Sequence, residues 1–429
     1  MINLHDIRER PEEYQTACAN KRVKFDVQAF LLLDTEYKKL KTEIEVLRSK
    51  QNVVSKEIPK LAGAEKEQAL AEMKLVAEQL REGATQFKEL EDRWSKQQLL
   101  IPSIPLSVVP VGKDDSENVA RRAWGEIPEP SFKIRDHAVL GKELDIFDIE
   151  RGVNIAGARS YFLKGDGARL QHAVMSLALD VLHKKGYILM DPPHIVKYEA
   201  MMGTGYFPGG EEMAYRLDDR DKDSFLIGTS EVSVASYHTG EILPVQELPK
   251  RYAGYSPCYR REAGTYGRDT YGLYRVHQFY KVEQVILCRA DADESMELHK
   301  ELLGNAEHVM QLLELPYRVV DVCTGDMGQG QVYKNDIEAW MPSRKSYGET
   351  HSCSSFYDFQ ARRLGIRYKD GNGKNTYCYT LNNTCVASPR LLIPLLEIHQ
   401  NIDGTVTIPN ALRPYMGGQE RIVPRASAT

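Results

Sequence analysis

Residues 252–288 read YAGYSPCYRREAGTYGRDTYGLYRVHQFYKVEQVILC. Two strand-like runs rich in tyrosine and valine flank a polar loop from Gly264 to Gly272, which is the pattern of an antiparallel pair. Strand side chains alternate between faces. That period puts Arg260 with Glu262 on the first run, and aligns Arg275, His277, Phe279, Lys281 and Glu283 on the second. One face is then charged, with an aromatic ring among the charges. A solvated sheet face accounts for this. So does an adenine-nucleotide site, which needs an arginine for phosphate, a hydrogen-bonding glutamate and a flat ring.

Around this pair, strand-like runs alternate irregularly with a few helices, without the cadence of a doubly wound sheet, so an α+β domain on an antiparallel sheet is expected. A helix is expected over 168–185 and a hairpin over 367–381, turned by DGNG at 370–373. Near the C-terminus, Ser388 reads as a helix cap and Pro389 as the first helical residue, placing Arg390 in the first turn. A cation there opposes the helix dipole unless an anion such as a polyphosphate shares the end. Pro394, further into that helix, is expected to bend it. Thr229 and Glu231 are expected on one strand face. Glu349 and Ser352, within ETHSCSS at 349–355, offer the hard oxygens that suit Mg²⁺. His351 and Cys353 beside them read as a packed histidine and a buried thiol, not as half of a zinc site. Phosphate-loop and dinucleotide fingerprints are absent: Gly373-Lys374 runs into Asn375, and Gly328-Gln329-Gly330 runs on without a third glycine.

The N-terminal quarter has a different pattern. Apolar positions at Phe30, Leu33, Tyr37, Leu40, Ile44 and Leu47 continue through Gln51, Val54, Ile58 and Leu61 with spacings of three and four, a heptad seam. After a turn at Ala62–Ala64 a second seam runs Met73, Val76, Leu80, Gly83, Phe87, Leu90, Trp94, Gln97 and Ile101. Two such helices joined by a short loop make an antiparallel coiled-coil hairpin about 50 Å long. Pattern alone fits a dimerisation coil, a spacer or a nucleic-acid grip. The arm carries 13 acidic and 13 basic residues between Gln28 and Leu100, so a grip on nucleic acid would use one face. IPSIPLSVVPVG at 101–112 reads as a linker, with a boundary near residue 110.

Composition sets the outer limits. The 429 residues are 42% hydrophobic and 27% charged, with a formal net charge of −5, so global charge gives no footprint of nucleic-acid binding. No apolar run approaches the roughly 18 residues of a membrane helix. The start, Met1–Tyr14, lacks the apolar core of a secretion signal, and the expected location is the cytoplasm. Seven scattered cysteines without a CxxC pair read as reduced thiols.

These pieces, in order, resemble the bacterial-type seryl-tRNA synthetase family of class II aminoacyl-tRNA synthetases. The blocks that carry the resemblance are MINLHDIRERPEEY, the heptad hairpin, NVARRAWGEIP, YFLKGDGARL, DPPHIV, GTGYFP, CYRREAGTYGRDTYGLYRVHQFYKVE, DIEAWMP, SCSSFYDFQARR and LRPYMGG. They span nearly the whole chain. The resemblance implies an antiparallel catalytic sheet flanked by helices over 111–429, and a tRNA-binding domain over 1–110 with its helical arm at about 28–100.

It also implies roles. Arg260, Glu262, Arg275, Val276, Phe279, Glu349, Ser352 and Arg390 would bind ATP, with Arg260 at the α-phosphate, Glu262 at the adenine amino group, Phe279 stacked on the base and Arg390 at the γ-phosphate. Thr229 and Glu231 would engage the serine ammonium, Glu283 and Thr384 its hydroxyl, Arg260 its carboxylate, with Asn382 in the same subsite. Arg260 and Arg390 would be the catalytic pair, acting by charge neutralisation. Glu349 and Ser352 would hold Mg²⁺, and no zinc is implied. Expected partners are L-serine, ATP, tRNA(Ser), also tRNA(Sec), and a second copy of the chain packed through the region 157–193. Two rivals are a ligase charging a carrier protein and a non-catalytic tRNA-binding regulator; the retained arm opposes the first and intact Arg260, Glu262, Glu283 and Arg390 oppose the second. The chain departs from the family pattern at Ser103, His351, Ser355, Asn383 and Pro394. Asn383 and Ser355 are expected close enough to the amino-acid pocket to alter it.

Overall fold

A computed structural model describes residues 1–218, 223–264 and 271–424. Most of the polar loop expected at 264–272 lies outside the described residues. The chain forms two units, Met1–Ile104 and Pro105–Thr429.

In the first unit the heptad seams become α1 (Val27–Glu57) and α2 (Gly63–Leu99). At 1.5 Å per residue they run about 46 Å and about 55 Å. Asp26 caps α1, its carboxylate accepting from Ala29 N at 3.0 Å. Phe30, Tyr37 and Ile44 are buried against a stripe that includes Met73, Val76 and Leu90. The Tyr37 ring stacks on Trp94 at 4.3 Å and on Phe87 at 5.4 Å between centroids. The second seam slips by one at its foot, where Gln98 is buried and Gln97 is not. Asp34 is a buried acid beside the seam. Arg8 grips it through Nε and Nη2, both at 2.8 Å, Trp94 Nε1 donates to it at 3.1 Å, and Lys38 Nζ is 3.4 Å away.

The second unit is built on an eight-stranded sheet. Its strands are β1 (Val119–Trp124), β2 (Ile188–Met190), β3 (Lys250–Tyr259), β4 (Gln278–Cys288), β5 (Tyr317–Asp321), β6 (Tyr333–Met341), β7 (Ser346–Tyr357) and β8 (Tyr379–Ser388). The order is β1-β5-β6-β7-β8-β4-β3-β2, antiparallel except for β2 against β3. The expected helix near 168–185 is α3 (Asp166–Lys184), and α4 (Ala292–Leu312) packs beside it, capped by Asp291. Together they bury Leu170, Val174, Leu302 and Val309 against Val282, Ile286, Leu381 and Ile337 of the sheet. The expected hairpin forms from strands Arg367–Lys369 and Asn375–Tyr377. From Leu106 onward the proline-rich stretch is packed: Leu106 N donates to Val332 O at 2.9 Å, and Val109 is buried with Val320, Val322 and Met327. Among the described residues no helix is long and apolar enough to cross a membrane.

A bent start to the last helix was expected and is not found. Ser388 ends β8, and its hydroxyl donates to Gln171 Oε1 at 2.8 Å instead of capping. Pro389 and Arg390 form a corner, and α5 (Leu392–Ile398) begins two residues later. Pro394 then falls in the first turn, where backbone N–H groups have no helical acceptor, so its missing donor costs nothing.

The Asp34 cluster yields a stability prediction. Burial raises the Asp34 pKa, but the hydrogen bonds from Arg8 and Trp94 outweigh it and the net shift is downward. A depressed carboxyl pKa stabilises the fold above the unfolded value of about 3.9 and loses that effect as pH falls through the folded value. Asp34→Asn leaves Arg8 without its counter-charge and should cost about 1–3 kcal/mol. Hydrogen exchange at pH 7 should show α1 and α2 amides opening about tenfold or more faster, with β4 and β8 unchanged. Unaltered protection in α1 would contradict this.

Candidate active site

The cleft lies on the sheet face opposite α3 and α4. In β4 the two-residue period turns Val282, Gln284 and Ile286 toward the helices and Phe279, Lys281 and Glu283 toward the cleft. A bulge at Cys385 shifts the pairing so that Glu283 stands opposite Thr384 and Gln284 opposite Asn383. The cleft holds about 1180 Å³ of unfilled space, its part open to solvent included. Of the residues expected in the site, Glu231, Arg260, Glu262, Arg275, Val276, Phe279, Glu283, Glu349, Ser352, Asn382, Thr384 and Arg390 line it. Thr229 does not. It is buried one turn back, its hydroxyl accepting from Glu231 N at 3.3 Å.

Two local expectations need correction. Thr229 and Glu231 do not share a strand face: Glu231 starts the short helix Glu231–Ala235 and Thr229 sits in the bend before it. Five residues are too few for a helical period to show in the sequence. Arg260 and Glu262 lie past the end of β3, and Glu262 has a left-handed φ of 52°. Strand alternation therefore does not place them. Arg260 is placed by its own backbone pairing, N to His277 O at 3.0 Å, with His277 Nδ1 2.9 Å from Arg260 O.

One end of the cleft is cationic. Arg260 Cζ lies 5.3 Å from the Phe279 centroid, and Arg275 Nη1 donates to Glu262 at 2.8 Å. Arg390 is tied by Nε to Tyr274 O at 3.1 Å and by Nη1 to Glu349 O at 3.0 Å. The other end is acidic. Glu283 Oε2 meets Lys281 Nζ at 2.6 Å and the Thr384 hydroxyl at 3.1 Å. Glu231 accepts from Gln360 Nε2 at 2.7 Å and from the Tyr206 hydroxyl at 3.4 Å. Burial, then the charge of Glu283, pushes the Glu231 pKa up to about 7. Such a pocket favours a cation that would restore the charge.

Glu349 and Ser352 on β7 supply hard oxygens to the cleft. Opposite Ser352 on β6 is Asp336, whose Oδ2 takes Lys334 Nζ at 3.1 Å while its buried Oδ1 has no hydrogen-bond partner. Burial, together with the charge of Glu349, raises Asp336 to about 7 despite Lys334. Burial also raises Glu349, but Arg390, Lys334, Arg260 and Arg275 prevail and hold it below its ordinary value. Two carboxylates and a hydroxyl on one face, one oxygen unsatisfied, fit a hard divalent cation. His351 faces the other way. Burial takes its pKa down to about 4, and its Nδ1 lies 2.7 Å from the Thr350 hydroxyl.

The departures Asn383 and Ser355 also face the helices, not the pocket. Gln284 Nε2 donates to Asn383 Oδ1 at 2.7 Å, Asn383 Nδ2 to Ser352 O at 3.2 Å, and Ser355 Oγ lies 2.9 Å from His299 Nδ1. They belong to a satisfied polar layer under the sheet. Several cleft residues had no assigned role in the sequence, namely Lys281, Tyr206, Tyr274 and Gly328–Gln331, nor had Gln360 and Asp336, which are buried behind Glu231 and beside Ser352. Alternation in β4 already pointed to Lys281. Tyr206 and Gln360 arrive from distant segments and carry no local signal.

Comparison with known proteins accounts for both units. The model of the seryl-tRNA synthetase N-terminal domain matches residues 1–105, and that of the tRNA synthetase class II core domain (G, H, P, S and T) matches residues 215–399. A serine–tRNA ligase of Deinococcus radiodurans is 45% identical over 98% of each chain, and one of Trichlorobacter lovleyi is 43% identical over 98% of this chain and all of that one. The crystal structure of seryl-tRNA synthetase from Pyrococcus horikoshii complexed with ATP superimposes with a TM-score of 0.90 at 37% identity, covering 99% of this chain and all of that one. With both units matched and identity this high over nearly full length, the chain belongs to the seryl-tRNA synthetase family of class II synthetases.

Proposed function

We propose that this chain activates L-serine with ATP and transfers it to tRNA(Ser). The observation that carries the reading is the division of one cleft into an arginine-rich end and an acidic end, in a chain of this family. ATP lies with its adenine on Phe279 and its amino group at Glu262, its α-phosphate at Arg260 and its γ-phosphate at Arg390. The serine ammonium meets Glu231, within the wall to which Thr229 contributes; its hydroxyl meets Glu283 and Thr384, with Asn382 beside them; its carboxylate meets Arg260. Lys281 joins this set through its ion pair with Glu283.

The serine carboxylate oxygen attacks the α-phosphorus, the bond to the bridging oxygen breaks, and pyrophosphate leaves with the electron pair. A hydroxyl of the terminal ribose of the tRNA then attacks the carbonyl carbon of the seryl-adenylate, the acyl–phosphate bond breaks, and AMP leaves with the electron pair while the hydroxyl proton is lost to the departing phosphate or solvent. No protein nucleophile is required. Arg260 and Arg390 act as the catalytic pair by neutralising charge that builds on phosphoryl oxygens, in positions set before reaction. Glu349 and Ser352 would hold Mg²⁺, with Val276 and Arg275 completing the nucleotide wall; the ion would supply further charge neutralisation on the phosphates. Alanine is refused because Glu283 would be left without its hydroxyl partner, and threonine by space.

We assign tRNA binding to residues 1–110 with the arm at about 28–100, reading the shape and backbone of the long variable arm, which suits its balanced charge. On the resemblance alone we add tRNA(Sec) as an acceptor and the cytoplasm as location. A homodimer is supported by apolar side chains left exposed in and beside 157–193: Ile155, Phe162, Ile188, Leu189 and Ile195.

Two results test this reading. Glu231 must be ionised to pair with the ammonium, so the apparent affinity scales with its ionised fraction. KM for serine should rise about tenfold from pH 8 to pH 6, across a pKa near 7. Glu231→Gln should bind serine weakly and flatten the profile; a pH-independent KM in the unaltered protein would contradict the assignment. Ile44 packs across from Gly83, 3.5 Å from where a Cβ there would stand. Replacing residues 45–82 by a short Gly-Ser turn should therefore keep the base of the arm. Serine-dependent pyrophosphate exchange should stay within about twofold while tRNA aminoacylation falls by about a hundredfold or more, a few kcal/mol of lost contacts. Equal loss of both activities would refute the division of labour.

A further inference from the structure

Tyr274 carries two cations. The Cζ atoms of Arg390 and Arg344 each lie 4.3 Å from the centroid of its ring, so the two guanidiniums are no more than twice that distance apart. Arg390 is anchored by the backbone oxygens of Tyr274 and Glu349. Arg344 arrives from another element. It ends the turn Pro342–Arg344 between β6 and β7 and is exposed. That turn is itself held in place, because the N–H and hydroxyl of Ser343 donate to the buried Glu397 carboxylate at 2.9 and 2.8 Å.

Tyr274 lines the cleft, and its hydroxyl donates to Glu349 O at 3.4 Å, so the ring stands at the edge of the proposed γ-phosphate position. Cation–π attraction holds each guanidinium against the ring, while like charge sets them against each other, offset at Arg390 by the Glu349 carboxylate 3.7 Å from its Nη1. A ligand with several negative charges removes that conflict. A polyphosphate presents several oxygens along its chain, each able to accept charge-assisted hydrogen bonds, so it can engage two guanidiniums that share one ring.

We propose that Arg344 is a second clamp on the leaving polyphosphate, binding terminal phosphate oxygens of ATP and the pyrophosphate formed from them, with Tyr274 positioning both arginines. The inference rests on the cleft being the ATP site for serine activation. Arg344 acts only beyond the α-phosphate, so the nucleoside monophosphate and the amino acid do not engage it.

The test is Arg344→Gln in the full-length chain, read by calorimetric binding of ATP and of AMP and by KM for pyrophosphate and for serine in the exchange reaction. ATP binding should weaken and KM for pyrophosphate should rise, each about tenfold, while AMP binding and KM for serine stay within about twofold. Arg344→Lys, which keeps the charge and loses the planar fork, should fall between. Unchanged ATP binding and unchanged KM for pyrophosphate would overturn the proposal. So would equal weakening of ATP and AMP, which marks a general disturbance of the cleft. Absence of serine-dependent exchange in the unaltered protein would instead sink the underlying reading, whereas normal exchange there with an unaffected Arg344→Gln sinks this inference alone.

Discussion

The two-residue period of the central antiparallel strands governs the cleft. As far as Glu283, alternate residues of β4 either join the core under α3 and α4 or floor the site; beyond it, Val285 and Leu287 on the cleft-side face bury against Val234, Ala235, Ala361 and Leu364 and close that end. A slip of one residue would put Lys281 and Glu283 in the places of Val282 and Gln284 beneath α3 and α4, burying an ion pair in the apolar layer. The bulge at Cys385 adds the finer adjustment. It sets Glu283 against Thr384 on the cleft side and Gln284 against Asn383 on the helix side, so both faces gain a matched polar pair from one irregularity.

Electrostatic division follows from this floor. Arginines come from the chain just beyond β3, from the approach to β4 and from the corner after β8, so they collect at one end. Glu283 on β4 and Glu231 on the helix after Thr229 stand at the other, whereas Glu262 and Glu349 are paired among the arginines. Two carboxyls buried along the cleft feel that environment: Glu231 is pushed up to about 7, and Asp336 keeps one oxygen without a hydrogen-bond partner. Sites that hold charges in this way are complementary to ligands of opposite charge, and they need little rearrangement when those ligands react.

Much of this was legible in the sequence, for reasons that differ from part to part. Heptad spacing gave both arm helices because a long seam repeats its signal many times. It missed Asp34, since a buried acid satisfied by Arg8, distant in sequence, leaves no mark on periodicity. Strand alternation found Phe279, Lys281 and Glu283, and could not find how Arg260 and Glu262 are held, because they lie in irregular backbone. The start of α5 was misplaced by a capping signature that Ser388 uses for Gln171 instead. Asn383 and Ser355 were expected at the pocket because neighbouring positions are there; the pleat turns them away. Tyr206 and Gln360 reach Glu231 only through the tertiary fold.

The most direct test of the account is amino-acid-dependent exchange of pyrophosphate into ATP, with Mg²⁺ and purified protein, serine, threonine, alanine and cysteine supplied separately and no tRNA. The account predicts exchange with serine and at most about one per cent of that rate with each of the others, the discrimination expected when a buried polar partner is left unpaired or an extra methyl must fit. Silence with all four, or alanine or threonine matching serine, would contradict it.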